Sequence, residues 1–229
     1  MKPLDPRPEL VLFDLDDTLC DYASARWLRL RVAFDRALGL LPERPAADLD
    51  RMAAESIAMH PHGTDHFAEL LSRHGAPGAS SVEEARHWYR TNRFYGLSLF
   101  NDALETLDVL RTTAPGRRVG MITNGSGETQ QAKIDLLGIR SLFDFIIVSG
   151  EFGFAKPDRR IFDEALRLGA ASAESAIFIG DSAEFDMTGA HNAGIRSIWI
   201  NRTGLPWLES SFAPDHVVAD LRSVAALLT

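Results

Sequence analysis

The stretch LFDLDDTLCDY, residues 12–22, passes within a few positions from an apolar run to a cluster of acidic side chains. Four aspartates fall within eight positions: Asp14, Asp16, Asp17 and Asp21. Carboxylates this close together repel one another and resist desolvation, so something must offset their charge beside a buried strand. A bound divalent cation is the first candidate, because hard cations bind carboxylate oxygens.

Around this stretch, five short apolar runs predict the strands of a sheet. They are LVLFDL (10–15), RVGMIT (118–123), FDFIIVS (143–149), AIFIGD (176–181) and RSIWIN (196–201). Helical patterns near 128–138, 158–169 and 184–193 alternate with the later strands, and Gly138, Gly169 and Gly194 stand where helix C-termini are expected. This alternation is typical of βαβ units. The sequence therefore predicts an α/β fold with a doubly wound, Rossmann-like parallel sheet, and DHVVADLRSVAALL (215–228) adds a short strand and a closing helix.

Residues 21–95 do not show this alternation of strands and helices, because they contain helical periodicity and no convincing strand. In WLRLRVAFDRAL (27–38), the apolar residues Trp27, Leu28, Val32 and Leu38 lie loosely on one side of a helix. We therefore expect a catalytic core of residues 1–20 and 96–229, with a helical cap of residues 21–95 inserted after the first strand.

Three features of the cap allow more than one interpretation. HPHGTDH (60–66) resembles a set of metal ligands, but no established zinc spacing is present, so a polar turn is favoured, followed by contact with a substrate and last by a metal site. A solvated helix face is favoured for Arg26, Arg29 and Arg31 over contact with an anionic substrate. For the group around the second cap junction, packing is favoured over ring stacking on a substrate; the group comprises Trp88, Tyr89, Arg93, Phe94 and Tyr95.

Composition narrows the class of protein. The chain has 229 residues with a formal net charge of -8, which argues against binding to a nucleic acid polymer. No apolar run approaches the roughly 18 residues of a membrane span, and the N-terminal MKPLDPRPEL has no apolar signal core. We therefore expect a cytoplasmic protein that does not act at a membrane. Cys20, the single cysteine, cannot form an internal disulfide and is expected to be inert. The sequence does not specify an oligomeric state.

Polar side chains follow four of the predicted strands. Because ligands bind beyond the carboxyl ends of strands in open α/β sheets, these side chains are expected at one edge. They are Asp14, Asp16 and Thr18 after the first strand, Thr123, Asn124, Gly125 and Ser126 after the second, Lys156, Pro157 and Asp158 after the third, and Gly180, Asp181, Ser182 and Asp186 after the fourth.

These residue types suit the transfer of a phosphoryl group. Such a reaction needs an in-line nucleophile, cations on the phosphoryl oxygens and a proton for the leaving alkoxide. A carboxylate can be the nucleophile, and carboxylates from two strand ends would hold Mg2+. Lys156 would supply a fixed positive charge, and the Thr123 hydroxyl would bind phosphoryl oxygens.

Four motifs in this order closely resemble those of the haloacid dehalogenase-like (HAD) hydrolases, over nearly the whole chain. The motifs are Asp14-x-Asp16-x-Thr18, Thr123-Asn124-Gly125, Lys156-Pro157, and Gly180-Asp181 followed by Asp186. The resemblance implies that Asp14 is the nucleophile and Asp16 the general acid/base. It also implies Mg2+ ligands from Asp14, Asp181 and the backbone carbonyl of Asp16. Substrate-binding roles follow for Thr123, Asn124 and Lys156, Asp186 becomes a partner of Lys156 or of a water on the ion, and a helical cap closes over the site.

Asp16 separates two activities within the resemblance. Members that release halide from 2-haloacids typically carry a tyrosine at this position. A halide leaves without a proton, whereas an alkoxide needs a general acid, so Asp16 favours phosphoryl transfer. The expected function is Mg2+-dependent hydrolysis of a small phosphorylated metabolite through an aspartyl-phosphate. A sugar-phosphate mutase is the main alternative, and a non-catalytic phosphometabolite-binding protein or a 2-haloacid dehalogenase is less favoured.

Overall fold

The computed structural model describes residues 4–39, 46–59, 63–75, 78–208 and 211–229. The chain divides into two compact units, one of Met1–Asp21 with Leu99–Thr229 and one of Tyr22–Ser98. These units change over at 21/22 and 98/99, close to the domain boundaries expected at 20/21 and 95/96. The functional division into core and cap stays a prediction.

A six-stranded parallel sheet forms the centre of the first unit, in the order β3-β2-β1-β4-β5-β6. The strands are β1 Leu10–Phe13, β2 Arg118–Thr123, β3 Phe145–Val148, β4 Ala176–Gly180, β5 Arg196–Ile200 and β6 His216–Val218. The predicted fold class is confirmed, since this order is that of a doubly wound sheet. The first four positions of LVLFDL form β1, and all four are fully buried as expected for a central parallel strand.

Helices alternate with the strands along the chain of the first unit. In this unit they are α5 Ala103–Thr113, α6 Gly127–Leu137, α7 Ser149–Phe152, α8 Arg159–Gly169, α9 Thr188–Ala193 and α10 Leu221–Leu228. Short 3-10 turns lie at Arg140–Leu142 and Ala173–Ser175. The helix predicted near 184–193 is a π-helical turn, Ala183–Met187, followed by α9.

The ends of these helices follow from local sequence. Ser126 caps α6 by accepting a hydrogen bond from the Thr129 N–H, and Gly138 ends that helix in the left-handed region at φ 69°. Gly194 ends α9 in the same way, as predicted. Gly169 also lies at a helix C-terminus, as predicted, but it is the last helical residue of α8, and the left-handed residue is Ala170, at φ 50°.

Gly169 is needed for packing instead of for its backbone conformation. A Cβ at this position would lie 2.5 Å from the Leu10 Cδ2. Leu10 is fully buried in β1, so it cannot move aside at low cost. The glycine therefore allows α8 to approach the sheet.

The second unit, Tyr22–Ser98, is helical. Its helices are α1 Tyr22–Leu38, α2 Ala46–Met59, α3 Phe67–Arg73 and α4 Ala79–Thr91. They enclose a core of their own in which Phe34 contacts Phe67, with ring centroids 4.9 Å apart, and Phe67 contacts Tyr89 at 5.5 Å. No strand lies in the described part of this unit, in agreement with the sequence-based prediction.

The face predicted for α1 is largely wrong. Leu28 is exposed, and of the four predicted positions only Leu38 is buried. The buried face of the helix runs through Leu30, Ala33, Phe34, Ala37 and Leu38, which recur at the spacing of three and four residues that places side chains on one side of a helix.

Arg29 also departs from the favoured interpretation of a solvated face. It is buried, its guanidinium lies 4.0 Å from the centroid of the Tyr89 ring, and it donates hydrogen bonds to the Tyr89 hydroxyl and the Arg93 carbonyl. The Arg31 Nε lies 2.9 Å from the Asp50 Oδ1, and the two side chains of this ion pair are partly exposed. Arg29 therefore links α1 to the end of α4.

The remaining open features of this unit favour packing. Trp88 contacts Tyr95 edge-on, with ring centroids 5.3 Å apart. In HPHGTDH, residues 60–62 lie outside the described residues, and the His66 Nε2 lies 2.6 Å from the Ser56 Oγ. Among the described residues, no helix combines the length and the apolar character that crossing a lipid bilayer requires.

Two neighbouring substitutions at the end of α8 should act in opposite directions. Gly169→Ala should lower the free energy of unfolding by about 1–3 kcal/mol, because overpacking against Leu10 outweighs the better helix propensity of alanine. Ala170→Gly should raise the free energy of unfolding by up to about 1 kcal/mol, because it relieves a left-handed alanine. Urea denaturation of both variants tests this, and a stabilised Gly169→Ala variant would contradict the packing role.

Candidate active site

The carboxyl ends of β1, β2 and β4 meet at one edge of the sheet. Phe13 is in register with Met121 of β2 and with Ile179 of β4. The Asp14 N–H donates to the Ile179 carbonyl at 2.9 Å, which extends the pairing by one residue beyond the strand. In the sheet, β1 lies between β2 and β4, and both of these strands come after it in the sequence. The strand order therefore reverses beside β1, and ligands of α/β sheets bind at such a switch point.

Lys156 lies between two carboxylates at this edge. Its Nζ lies 2.5 Å from the Asp14 Oδ1 and 2.6 Å from the Asp186 Oδ1. The Lys156 side chain is only 2% exposed, so both ion pairs are shielded from water. The centroid of the Phe178 ring lies 5.4 Å from the same nitrogen. An ammonium group in this position fixes the orientation of both carboxylates.

Asn124 holds the main chain of Lys156. Its Nδ2 donates to the Lys156 carbonyl at 2.9 Å, and its Oδ1 accepts from the Lys156 N–H at 2.9 Å. Both ends of the Asn124 amide are therefore engaged in positioning the lysine loop next to β2. Contact between Asn124 and a substrate stays a prediction.

Three carboxylates form a compact cluster. Oxygens of Asp14, Asp181 and Asp186 all lie within 4.8 Å of one another. Asp186 reaches the cluster because the π-helical turn returns its side chain over Gly180, where a Cβ would lie 2.3 Å from the Asp186 Oδ2. The Ser182 N–H donates to that Oδ2 at 3.0 Å, and the Trp199 indole N–H donates to the Asp181 carbonyl at 2.6 Å.

The electrostatics of this cluster favour the binding of a cation. Burial raises the pKa of Asp14 well above its ordinary value, although Lys156 opposes this. Burial, with the charges of Asp186 and Asp17, raises the pKa of Asp181 to about 7. Burial alone would lower the pKa of Lys156, but Asp14 and Asp186 raise it above its ordinary value. The lysine is therefore charged, but its single positive charge does not offset the burial of the Asp14 and Asp181 carboxylates.

The residues present fit a divalent metal ion. Four carboxylates, those of Asp14, Asp16, Asp181 and Asp186, stand with two ammonium groups, those of Lys133 and Lys156. When all are ionised, the negative charges outnumber the positive ones, and the Asp17 carboxylate, whose charge also acts on Asp181, adds to this excess. Clustered carboxylate oxygens are also the ligands that Mg2+ prefers.

The Asp16 carboxylate points to helix α6. The Lys133 Nζ lies 2.8 and 2.7 Å from its two oxygens, and the Gln130 Nε2 lies 3.2 Å from its Oδ2. Gln130 also donates to the Thr123 hydroxyl. Neither Gln130 nor Lys133 was predicted from the sequence. A signal was present, because the chain has three lysines, Lys2, Lys133 and Lys156, against 21 arginines.

In the rest of the opening stretch, the Thr18 hydroxyl donates to the Asp181 Oδ1 at 3.4 Å, whereas the described contacts of Asp17 and Cys20 are structural. Asp17 adopts φ 59° and its N–H donates to the Cys20 carbonyl, which forms a tight turn after β1. The Cys20 thiol is buried and contacts the Leu15 carbonyl at 3.5 Å, and burial raises its pKa above its ordinary value. A thiol of this kind is not activated as a nucleophile.

Comparison with known proteins agrees with this geometry. The family model for haloacid dehalogenase-like hydrolases matches residues 8–194, which include all four strand ends of the site. The chain belongs to the haloacid dehalogenase-like hydrolases. It is a hydrolase of this family, as the four motifs predict.

Curated and solved members of the haloacid dehalogenase-like family resemble the chain over most of its length. N-acylneuraminate-9-phosphatase from Homo sapiens is 28% identical over 241 residues, covering 97% of this chain and 94% of that protein. Glyceraldehyde 3-phosphate phosphatase from Methanopyrus kandleri is 33% identical, covering 84% and 83%. The HAD-hydrolase YfnB from Bacillus subtilis, solved with bound magnesium, has a TM-score of 0.75 at 25% identity and covers 97% and 99%.

Removing the central ammonium should destabilise the fold. Lys156→Met leaves the buried carboxylates of Asp14 and Asp186 without a counterion, which should lower the free energy of unfolding by about 3–5 kcal/mol at pH 8. Arg167→Met, which breaks the exposed pair with Glu164, is the control and should change little. Urea denaturation measures both, and equal effects of the two substitutions would contradict the central role of Lys156.

The raised pKa of Asp181 predicts the pH dependence of stability without metal. A carboxyl with an ordinary pKa of 3.8 and a folded pKa of about 7 stabilises the fold fully below pH 3.8 and loses that contribution as the pH rises through 7. Asp181→Asn removes this loss, so in EDTA the variant should gain stability relative to the unsubstituted chain between pH 5 and pH 8. Denaturation at both values tests the sign, and a relative loss at pH 8 would contradict it.

Proposed function

We propose that the chain is a Mg2+-dependent phosphatase that hydrolyses a small phosphorylated metabolite through an aspartyl-phosphate. The observation that carries the proposal is the buried Asp14 carboxylate, held by Lys156 and next to Asp181 at the switch point of the sheet. A nucleophile, a fixed cation and candidate metal ligands are therefore within reach of one phosphoryl group.

In the first half of the reaction, an Asp14 oxygen attacks phosphorus and forms a P–O bond. The bond from phosphorus to the leaving alkoxide breaks, and the alkoxide takes a proton from Asp16. Lys156 and the Thr123 hydroxyl bind the phosphoryl oxygens, whose negative charge they offset. Since Gln130 donates to the Thr123 oxygen, the Thr123 hydroxyl proton is directed elsewhere and can serve a phosphoryl oxygen.

In the second half, water attacks the phosphorus of the aspartyl-phosphate. Asp16 takes the proton from this water, the bond between phosphorus and the Asp14 oxygen breaks, and inorganic phosphate leaves. Asp14 is again a carboxylate and Asp16 is again protonated, so the cycle is balanced. Asp16 is proposed to serve both halves because it lies only two positions after the nucleophile.

Asp14, Asp181 and the backbone carbonyl of Asp16 would hold Mg2+, and Asp186 would support Lys156. When bound, the ion neutralises charge on the phosphoryl group and orients it for in-line attack. The unbalanced carboxylates described above support this assignment, and so does the magnesium in the related YfnB structure.

The proposed substrate class is a small phosphorylated metabolite. The curated relatives are named for acylneuraminate 9-phosphate and glyceraldehyde 3-phosphate hydrolysis, both of which fit this class. Asp16 supports phosphatase over dehalogenase activity, because a halide needs no proton. We further propose that residues 21–95 act as a cap domain and that the protein is cytoplasmic, which its single cysteine supports.

Asp14→Asn should abolish turnover. The amide lacks the nucleophilic charge, so release of phosphate from p-nitrophenyl phosphate with Mg2+ should fall by about 1,000-fold or more. Asp17→Asn is the matched control, because asparagine tolerates the left-handed conformation of that turn and activity should persist. The same assay in EDTA should show little turnover by the unsubstituted chain.

Product analysis separates the rival activities. A panel of phosphorylated metabolites should yield free phosphate, whereas a mutase would yield an isomeric phosphate ester and a dehalogenase would release chloride from a 2-haloacid. Wild-type turnover by Asp14→Asn would show that the assigned nucleophile is wrong.

A further inference from the structure

Helix α6 presents a buried polar face to the general acid/base and to the end of β2. Gln130 and Lys133 are three residues apart, so they lie on one side of the helix. The Lys133 ammonium spans both oxygens of Asp16, at 2.8 and 2.7 Å, and Gln130 joins Asp16 to Thr123. The Lys133 side chain is 5% exposed, whereas the Asp16 side chain is 25% exposed.

This contact restricts the direction of the Asp16 carboxylate. An ammonium group centred on both oxygens, with an amide N–H on one of them, restricts rotation of the carboxylate about its bond to Cβ. The support is itself rigid, because α6 is capped at Ser126 and at Gly138. The Gln130 stem also packs against Gly125, where a Cβ would lie 2.9 Å from the Gln130 Cγ.

Stability alone does not account for Lys133. The desolvation cost of a buried ion pair often cancels its Coulombic gain, so an apolar pair would serve the fold as well. The partner of Lys133 is moreover the carboxylate that is proposed to exchange a proton with the reacting oxygen, and this exchange requires a defined direction. The geometry is that of a group that orients a proton carrier.

We propose that Lys133 is a positioning residue that directs the Asp16 carboxylate toward the water that hydrolyses the aspartyl-phosphate. The inference rests on the proposed function, in which Asp16 accepts the proton of that water. In the structure the Asp16 side-chain oxygens accept hydrogen bonds from the Lys133 ammonium and the Gln130 amide, and the Cys20 Sγ lies 3.6 Å from the Asp16 Oδ1, so the contacts hold the carboxylate form of Asp16 in a defined orientation. With a leaving group that needs no proton, only the second half of the reaction requires Asp16, and only that half should then depend on Lys133.

An aryl phosphate separates the two halves. Nitrophenolate leaves p-nitrophenyl phosphate without a proton, so kcat/KM reports a first half that does not need Asp16 as an acid, whereas kcat includes hydrolysis of the aspartyl-phosphate. With Mg2+ bound, Lys133→Met should lower kcat by about tenfold or more and leave kcat/KM within about threefold. Rapid mixing should show a burst of nitrophenolate equal to the amount of folded enzyme.

Two further variants sharpen this test. Lys133→Arg retains N–H donors and should recover part of kcat. Gln131→Met lies on the same helix, where Gln131 pairs with the partly exposed Glu151, and should leave both constants unchanged. Thermal unfolding of each variant shows whether the protein is folded, and the burst amplitude counts the competent sites.

The inference is overturned if kcat and kcat/KM fall together without a burst, since Lys133 would then hold the fold or bind the phosphoryl group itself. It is also overturned if Lys133→Met changes neither constant. If the unsubstituted chain hydrolyses no phosphate ester with Mg2+, the proposed function fails and the role of Lys133 fails with it. Turnover by the unsubstituted chain with equal loss of both constants in Lys133→Met rejects the inference and leaves the phosphatase proposal intact.

Discussion

The ion pairs of Lys156 with Asp14 and Asp186 are the constraint on which the site depends. Three chain segments far apart in sequence meet at one nitrogen that is almost completely removed from water. Such an arrangement is stable only if each carboxylate keeps its counterion, because an unpaired buried charge is strongly destabilising. The Asn124 amide, which holds both backbone groups of Lys156, belongs to this constraint as much as the ions do.

The same constraint explains the acidic opening stretch. One ammonium group can satisfy Asp14 and Asp186, but Asp181 is then left with a raised pKa and no cation of its own in the described contacts. A divalent ion would complete the balance in the proposed site at the switch point of the sheet. The preference for phosphatase over dehalogenase activity belongs to the same proposal, since a carboxyl group at Asp16 is useful to an alkoxide and unnecessary to a halide.

The sequence predicted the sheet well because its central strands are almost completely buried and therefore apolar. Arg118–Thr123 and Ala176–Gly180 are apolar runs that no helical pattern overlaps, and their ends carry the polar residues that the structure brings to one edge. Lys133 and Gln130 were missed because they lie inside a helix, where polar residues normally face water. The stripe on α1 was mispredicted because it depends on which side chains face the helix from other segments. For the same reason the sequence did not indicate that Gly169 approaches Leu10 closely, although its place at the end of α8 was predicted.

The sparing use of lysine in this chain has a consequence for its chemistry with external reagents. Lys133 and Lys156 are each about nineteen-twentieths or more buried, and Lys2 lies outside the described residues. Acylating agents react with amines and not with arginine, and the amines of Lys133 and Lys156 are both buried. Covalent labelling of those two nitrogens would therefore require local opening of the sheet edge that carries the candidate site. The rate of labelling, measured by mass spectrometry, would report how often that edge opens.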